Sequence, residues 1–266
     1  MSEKAQVNAF LERLRMDELT LMMAIRSART TEIIRIAKAT GHHAVMVDLE
    51  HSAIDIGLAG EMCAVASDLG ITPFVRIPER DYGIIGRLLD SGASGIIAPR
   101  IETVEEATTV YRACRFPPTG QRSQLAMVPQ YGMRPMTAIE LNPMLDANTI
   151  VQVLVETPKG VEAADAIAAL PGIDMLAIGA NDLCAELGIA GQFSDTRLRE
   201  HIAKVAEACK RHRKLLILGG ISNLTLVKDL LPLGIAPLFF TGTDTDMLYY
   251  AAEQRSRRIS EWHQQN

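Results

Sequence analysis

The chain has 266 residues, of which 48% are hydrophobic, and its formal net charge is −5. This length suffices for one large α/β core, so a single domain over residues 1–266 is expected. The acidic balance and the lack of a basic tract argue against nucleic-acid and anionic-membrane partners and favour small-molecule substrates.

The amino-terminal segment, residues 1–18, is charged and has the spacing of a helix, without the apolar core of a secretory signal. No apolar run approaches the roughly 18 residues of a membrane span. A cytoplasmic location is therefore expected. The four cysteines have no CxxC spacing and are interpreted as reduced packing residues without a chemical role.

Apolar strands and amphipathic helices alternate along the rest of the chain. Predicted strands cover Leu19–Arg26, Ala44–Leu49, Thr72–Ile77, Gly95–Arg100, Thr149–Glu156, Met175–Gly179, Lys214–Gly219 and Pro237–Gly242. Helices are predicted between them, with the last one over about Thr245–Arg258. Eight such units in about 250 residues predict a closed (β/α)8 barrel, with an α/β fold and the active site at the carboxyl ends of the strands.

A long irregular section, residues 116–148, interrupts this alternation. It is rich in proline, glycine and polar residues, with a short helix predicted near Met136–Leu141. Segments of this length in a compact domain are usually functional, so it is expected to be a lid or a partner contact.

Two carboxylates follow consecutive predicted strands. Glu156 ends the fifth strand and Asp182 follows the sixth, so both are expected at one edge of the barrel. A single acid in this position is often only the N-cap of the next helix. A pair on adjacent strands favours a site for a hard divalent cation instead.

An imidazole and a guanidinium follow the second and third strands. His51 and Arg76, together with the two carboxylates, form a set that can bind a metal, hold an anionic substrate and move a proton. Each has an ordinary structural alternative, and for Arg76 this is a salt bridge to Glu79 or Asp48. The lysines fall in helices, in loops or at the amino end of a strand, which excludes a Schiff-base mechanism inside the barrel. A metal-stabilised enolate is the remaining route to carbon–carbon chemistry on a keto acid.

Six ordered motifs, VDLEHSAID, TPFVRIP, LLDSGASGIIAPRIETVEEA, RFPPTGQR, VLVETPKGVE and IGANDLCAELG, span most of the chain. In these motifs the sequence resembles the HpcH/HpaI aldolases, the class II pyruvate aldolases. The resemblance implies that Glu156 and Asp182 ligate Mg²⁺, Mn²⁺ or Co²⁺. It also implies that Arg76 donates a hydrogen bond to the keto oxygen and stabilises the enolate. The backbone expected to bind the pyruvate carboxylate comprises Gly179, Ala180, Asn181 and Asp182.

The resemblance further implies a catalytic pair of His51 and Asp90 that moves protons through a metal-bound water. Asp90 lies at the end of a helix that returns to the amino face, so it should not reach His51 of its own barrel. We therefore expect a neighbouring subunit to supply Asp90. The family is typically hexameric with an exchanged last helix, so a homo-oligomer, either a trimer or a hexamer, is expected.

The sequence departs from the family pattern at two positions. Leu154 stands where a glutamine usually precedes the first metal carboxylate, although Gln152 lies two residues further back. Ser123 stands where a glycine usually follows the arginine of the irregular section, here Arg122. The first departure puts a hydrogen bond near the metal in question, and the second indicates an altered aldehyde pocket.

The predicted function is reversible aldol cleavage of a 4-hydroxy-2-keto acid to pyruvate or hydroxypyruvate and an aldehyde. One alternative is a lyase of acyl-CoA esters of the citramalyl or malyl type, although the sequence shows no basic groove for the nucleotide. A different class of alternative is a non-catalytic, metal-dependent keto-acid-binding protein.

Overall fold

The computed structural model describes residues 8–266 and contains one sheet of eight parallel strands. The strands are β1 (Thr20–Ile25), β2 (Ala44–Asp48), β3 (Thr72–Arg76), β4 (Gly95–Ala98), β5 (Ile150–Val155), β6 (Met175–Gly179), β7 (Leu215–Gly219) and β8 (Leu238–Thr243). Their spatial order follows the chain from β1 to β7, and β8 pairs with β1. Between β7 and β8, a bridge of Leu216 with Ile235, just before β8, nearly closes the ring. The predicted (β/α)8 barrel is confirmed.

Helices surround this barrel. In the described part of the chain they are α1 (Ala9–Arg15), α2 (Glu32–Ala39), α3 (Ile56–Asp68), α4 (Ile85–Asp90), α5 (Val104–Cys114), α6 (Ala138–Asn148), α7 (Pro158–Ala168), α8 (Ala180–Glu186), α9 (Thr196–His212), α10 (Leu224–Leu230) and α11 (Asp244–Gln265). The start of the predicted amino-terminal helix, residues 1–7, lies outside the described residues. Among residues 8–266, no helix has the length and apolar character needed to cross a membrane.

Alternating side chains of the strands fill two separate parts of the core. Outward-facing residues such as Val47 and Val153 pack against the helices in the larger cluster. Inward-facing residues fill the lower barrel, and Phe10 of α1 packs on Phe74 with 5.0 Å between ring centroids. The helix α1 therefore closes the amino end of the barrel, and the space at the carboxyl end stays open.

The irregular section folds differently from the prediction. The helix expected near Met136–Leu141 is present, but it starts two residues later and is longer: α6 runs from Ala138 to Asn148 and starts with a capping box of Thr137 and Glu140. Gln130, earlier in the section, donates from Nε2 to the carbonyls of Leu89 (2.7 Å) and Ala93 (3.2 Å), near the end of α4. The section thus packs at the amino side of its own barrel.

The last helix is longer than predicted. It extends to Gln265, and Asp244 is its one buried residue. Several large apolar side chains along it are exposed in the single chain, among them Leu248, Tyr250 and Trp262. Its exchange between subunits stays a prediction.

Candidate active site

A cavity of about 390 Å³ opens at the carboxyl ends of the strands. Its walls include most of the predicted site residues, namely His51, Arg76, Glu156, Gly179, Ala180, Asn181 and Asp182. This volume lies within the range of about 300–1,000 Å³ that is common for small-molecule sites. The barrel therefore brings together side chains that lie up to 131 residues apart in the sequence.

Glu156 directly follows β5 and is almost completely buried, with 6% of its surface exposed. Its Oε1 accepts a hydrogen bond from the backbone amide of Arg100 at 2.7 Å. Burial, together with the negative charges of Asp182 and Glu50, raises the pKa of the Glu156 carboxyl to about 7, although the hydrogen bond from the Arg100 amide opposes this shift. A buried carboxylate beside other carboxylates is an unfavourable arrangement that a bound cation would stabilise.

Two backbone features fix the position of this carboxylate. Arg100 has a left-handed backbone with φ of 52°, a rare conformation for a residue with a Cβ, and so presents its amide to Glu156. On the next strand, a Cβ added to Gly179 would lie 2.4 Å from Glu156 Oε2. The absence of a side chain at Gly179 therefore leaves the space that Glu156 Oε2 occupies.

Asp182 lies in the first turn of α8 and is exposed at the cavity wall. Glu156 and Asp182 are hard oxygen donors that follow the neighbouring strands β5 and β6, which suits Mg²⁺ or Mn²⁺. No group of three or more His, Cys, Asp or Glu residues within residues 8–266 is arranged to hold an ion. The two carboxylates thus fit a cation whose remaining ligands come from water and substrate.

Arg76, at the end of β3, is engaged by two acidic side chains of β2 and its following loop. Its Nε and Nη2 donate to the two oxygens of Asp48 at 3.0 and 2.6 Å, and its Nη1 lies 3.2 Å from Glu50 Oε2. Burial raises the pKa of Asp48, but the hydrogen bond and charge of Arg76 outweigh it and hold that pKa below its usual value. The structural alternative for Arg76, a salt bridge to Asp48, is therefore present at a residue that also lines the cavity.

His51 is held mainly through its backbone. Its amide donates to Asp48 Oδ1 at 3.2 Å, and its carbonyl accepts from Arg26 Nη2 at 2.9 Å. The imidazole is half-exposed, and its Nε2 lies 3.6 Å from Glu50 Oε2. Within its own chain, His51 thus has Glu50 as its acidic neighbour.

Asp90 lies outside this cavity. It ends α4, and its Oδ1 accepts a hydrogen bond from Arg122 Nη2 at 2.8 Å. Arg122 itself is buried and stacks over the ring of Phe116, 4.7 Å from the centroid. The placement agrees with the expectation that Asp90 does not serve the site of its own chain. The described residues that line this cavity include none from 116–148, so the irregular section is not a lid over it.

Several further residues around this cavity were given no site role from the sequence. Asp48 and Glu50 orient Arg76 and contact His51. Their position in the VDLEH motif, one strand before an arginine, is the sequence feature that could have indicated this role. Arg26 lies outside the six motifs. Gln152 is 1% exposed and lines the cavity below Leu154, and its Oε1 has no hydrogen-bond partner in the described part of the chain. A polar group that is buried without a partner commonly binds water or a ligand.

Comparison with known proteins agrees with this geometry. Residues 20–222 match the model of the HpcH/HpaI aldolase/citrate lyase family. A 4-hydroxy-4-methyl-2-oxoglutarate aldolase of Hapsidospora irregularis is 37% identical over 204 residues, which are 76% of this chain and 75% of the relative. An aldolase of the same name from Chaetomium globosum is 33% identical over 222 residues, 82% of each chain.

A solved HpcH/HpaI aldolase of Desulfitobacterium hafniense superimposes with a TM-score of 0.87 at 25% identity, covering 96% of this chain and 97% of that one. The fold and site define an α/β-barrel enzyme with an acidic, metal-compatible mouth. The chain belongs to the HpcH/HpaI aldolase/citrate lyase family. The family assignment and the prediction of a carbon–carbon lyase are confirmed, and the family is generally dependent on a divalent metal.

Proposed function

We propose that this protein catalyses reversible aldol cleavage of a 4-hydroxy-2-oxo acid to pyruvate, or hydroxypyruvate, and a carbonyl compound. The observation that carries the proposal is the buried Glu156 beside Asp182, with Arg76 and His51 in the same cavity. This set contains a site for a cation, a fixed positive charge and a proton-transfer group, which are the elements that the reaction requires. The relatives named as aldolases support it.

Glu156 and Asp182 would hold a divalent cation, with Mg²⁺, Mn²⁺ or Co²⁺ as candidates. When bound, the cation polarises the oxygens of the keto acid and neutralises charge that develops during the reaction. The backbone at Gly179–Asp182 binds the keto acid's carboxylate. These amides belong to the start of α8, where Gly179 provides no side-chain cap.

Arg76 stabilises negative charge on the keto oxygen. Its guanidinium is fixed by Asp48 and Glu50, so it is already oriented before substrate binds. A donor that needs no reorganisation is most effective where charge appears only in the transition state. Asp48 is a positioning residue in this scheme because it acts through Arg76.

His51 transfers the proton of the substrate hydroxyl. In the cleavage direction, the O–H proton at C4 leaves and the C4–O bond becomes a carbonyl. The electron pair of the C3–C4 bond passes to C3, which takes up a proton to give the pyruvate methyl group. The half-exposed ring of His51 allows exchange of this proton with solvent. Asp90 of a neighbouring subunit would complete the pair, which makes a homo-oligomer part of the active site.

Metal removal tests this function. The protein is treated with a chelator, and pyruvate release from 4-hydroxy-2-oxo acids is measured before and after adding back Mg²⁺, Mn²⁺ or Co²⁺. We expect activity to disappear on chelation and to return with at least one of these ions. Cleavage that continues at the same rate in the chelated protein would overturn the proposed role of Glu156 and Asp182.

A further inference from the structure

Arg26 is a cation at the cavity to which neither the sequence motifs nor the comparisons give a role. It directly follows β1 and lines the cavity. Its backbone amide donates to Asp244 Oδ1 at 2.9 Å, and Asp244 also accepts from the amides of Ser27 and Ala28. Asp244 is buried, so this loop is fixed to the start of α11.

The guanidinium of Arg26 is held by hydrogen bonds from Nε and Nη2, whereas Nη1 has no partner in the described part of the chain. Its Nε and Nη2 donate to the His51 carbonyl at 3.2 and 2.9 Å, and Nε lies 3.6 Å from Asp48 Oδ2. Its Nη1 has no hydrogen-bond acceptor among residues 8–266, and the side chain is 40% exposed. Arg26 can therefore bind an incoming anion without losing its contacts with the protein.

The other charged groups at the cavity are already engaged or are negative. Arg76 is paired with both Asp48 and Glu50. Asp246 also lines the cavity, and its Oδ2 accepts from the amide of Thr243 at 3.1 Å. Of the two guanidinium groups that line the cavity in the described part of the chain, Arg26 is thus the one whose Nη1 has no acceptor within the protein.

The position of Arg26 in the barrel sets which part of a substrate it can meet. In the ring of eight strands, β1 lies four strands from β5, so Arg26 stands across the mouth from Glu156. In the proposed reaction, the 2-oxo acid end of the substrate lies at β5 and β6. The C3–C4 bond and the groups on C4 then extend towards β1 and β2, where Arg26 and His51 lie.

We propose that Arg26 binds a second carboxylate, carried by the C4 side of the substrate, and so makes the enzyme selective for 4-hydroxy-2-oxo diacids. The carbonyl compound released on cleavage is then an oxo acid and not a neutral aldehyde. The inference rests on the proposed aldol reaction and adds to it the residue that would recognise the C4 carboxylate, a group that the substrate named for two relatives, 4-hydroxy-4-methyl-2-oxoglutarate, also carries. A planar guanidinium with an accessible edge is well suited to a carboxylate.

A matched pair of substrates tests this selectivity. 4-Hydroxy-2-oxoglutarate carries a carboxylate on C4, and 4-hydroxy-2-oxopentanoate carries a methyl group there. The kcat/KM of each is measured for wild type, Arg26→Gln and Arg26→Lys. We expect Arg26→Gln to lower the diacid-to-monoacid ratio of kcat/KM about 10- to 100-fold, the usual effect of losing a charge-assisted hydrogen bond. Arg26→Lys, which keeps the charge but not the planar edge, should fall between the two.

Arg29→Gln is the matched control, because Arg29 is an exposed arginine of the same loop that does not line the cavity. Its ratio should equal that of wild type. Exchange of solvent deuterium into the pyruvate methyl, which requires no acceptor, shows whether the site of Arg26→Gln remains assembled. If Arg26→Gln lowers kcat/KM for both substrates equally, or leaves both unchanged, the inference is wrong while the aldol function stands. If wild type cleaves neither substrate and exchanges no deuterium, the proposed function fails.

Discussion

The buried contact between Asp48 and Arg76 provides the sharpest prediction for stability. Asp48 has no exposed side-chain surface, and it accepts both Arg76 hydrogen bonds and the backbone amides of Glu50 and His51. Replacing Asp48 by Asn keeps the shape but removes the charge and one acceptor. Breaking a buried ion pair commonly costs about 3–5 kcal/mol. We expect the lower end, about 3 kcal/mol, because Glu50 still pairs with Arg76.

Urea unfolding of the metal-free protein measures this cost, with both variants at one protein concentration because an oligomer's stability depends on it. Asp165→Asn is the control. Asp165 is 52% exposed and lies 2.6 Å from Arg211 Nη1, so its pair should contribute no more than about 1 kcal/mol. A loss at Asp48 that is no larger than the loss at Asp165 would refute the view that burial decides the value of this ion pair.

The pH dependence gives an independent check on the Asp48 prediction. Arg76 holds the folded-state pKa of Asp48 below its ordinary value of 3.8 despite the opposing effect of burial. A depressed carboxyl pKa stabilises the folded state above the unfolded pKa, and this contribution is lost as the pH falls through the folded value. The stability difference between wild type and Asp48→Asn should therefore be full near neutral pH and shrink below about pH 3.8. A constant difference across that range would assign the loss to packing instead of charge.

Two further predictions concern Glu156. Gly179→Ala should weaken Mn²⁺ binding about 10- to 100-fold in calorimetry, because its Cβ would lie 2.4 Å from Glu156 Oε2. Gly219→Ala is the control, because its Cβ would meet only the Ile178 carbonyl at 3.6 Å, and we expect its Mn²⁺ affinity to equal that of wild type. An equal loss of affinity in both variants would contradict the steric argument. In chelated protein, the folded Glu156 pKa of about 7 exceeds its ordinary 4.5, so thermal unfolding should show stability falling as the pH rises through that interval. Glu156→Gln should lose this slope, and an unchanged slope would mean that another group titrates.

The sequence predicted the parts of the site that depend on the strand order. An acid that ends one apolar run and an acid that follows the next must meet at one edge of a parallel barrel, whatever the loops do. Glu156 and Asp182 could be paired for this reason. His51 and Arg76 could be added because they follow or end β2 and β3 at the same edge of the barrel. The family motifs then supplied the roles that spacing alone left open.

For the residues that were given no site role, the position in the site depends on side-chain direction and on loop paths. An acid such as Asp48 at a strand end has the same local pattern as an N-cap, and only the bidentate contact with Arg76 separates the two. The irregular section was expected to be a lid or a partner contact, and its path is set by contacts such as those of Gln130 with the end of α4. Such contacts between distant segments leave no periodic pattern in the sequence.

In the proposed reaction, the arrangement of charged groups around the mouth gives the substrate a direction. Glu156 and Asp182 place negative charge at β5 and β6, whereas Arg26 and His51 lie across the mouth at β1 and β2. Both carboxylates of a 4-hydroxy-2-oxo diacid lie beside a second oxygen, but only the 2-oxo end can form the enolate whose negative charge a cation would neutralise. In the proposed reaction the 2-oxo end therefore lies at Glu156 and Asp182, and the other carboxylate would meet Arg26. A monoacid bound in the same direction would leave its C4 substituent unpaired beside Arg26, so the proposed cation site and the proposed selectivity for diacids depend on the same orientation of the substrate.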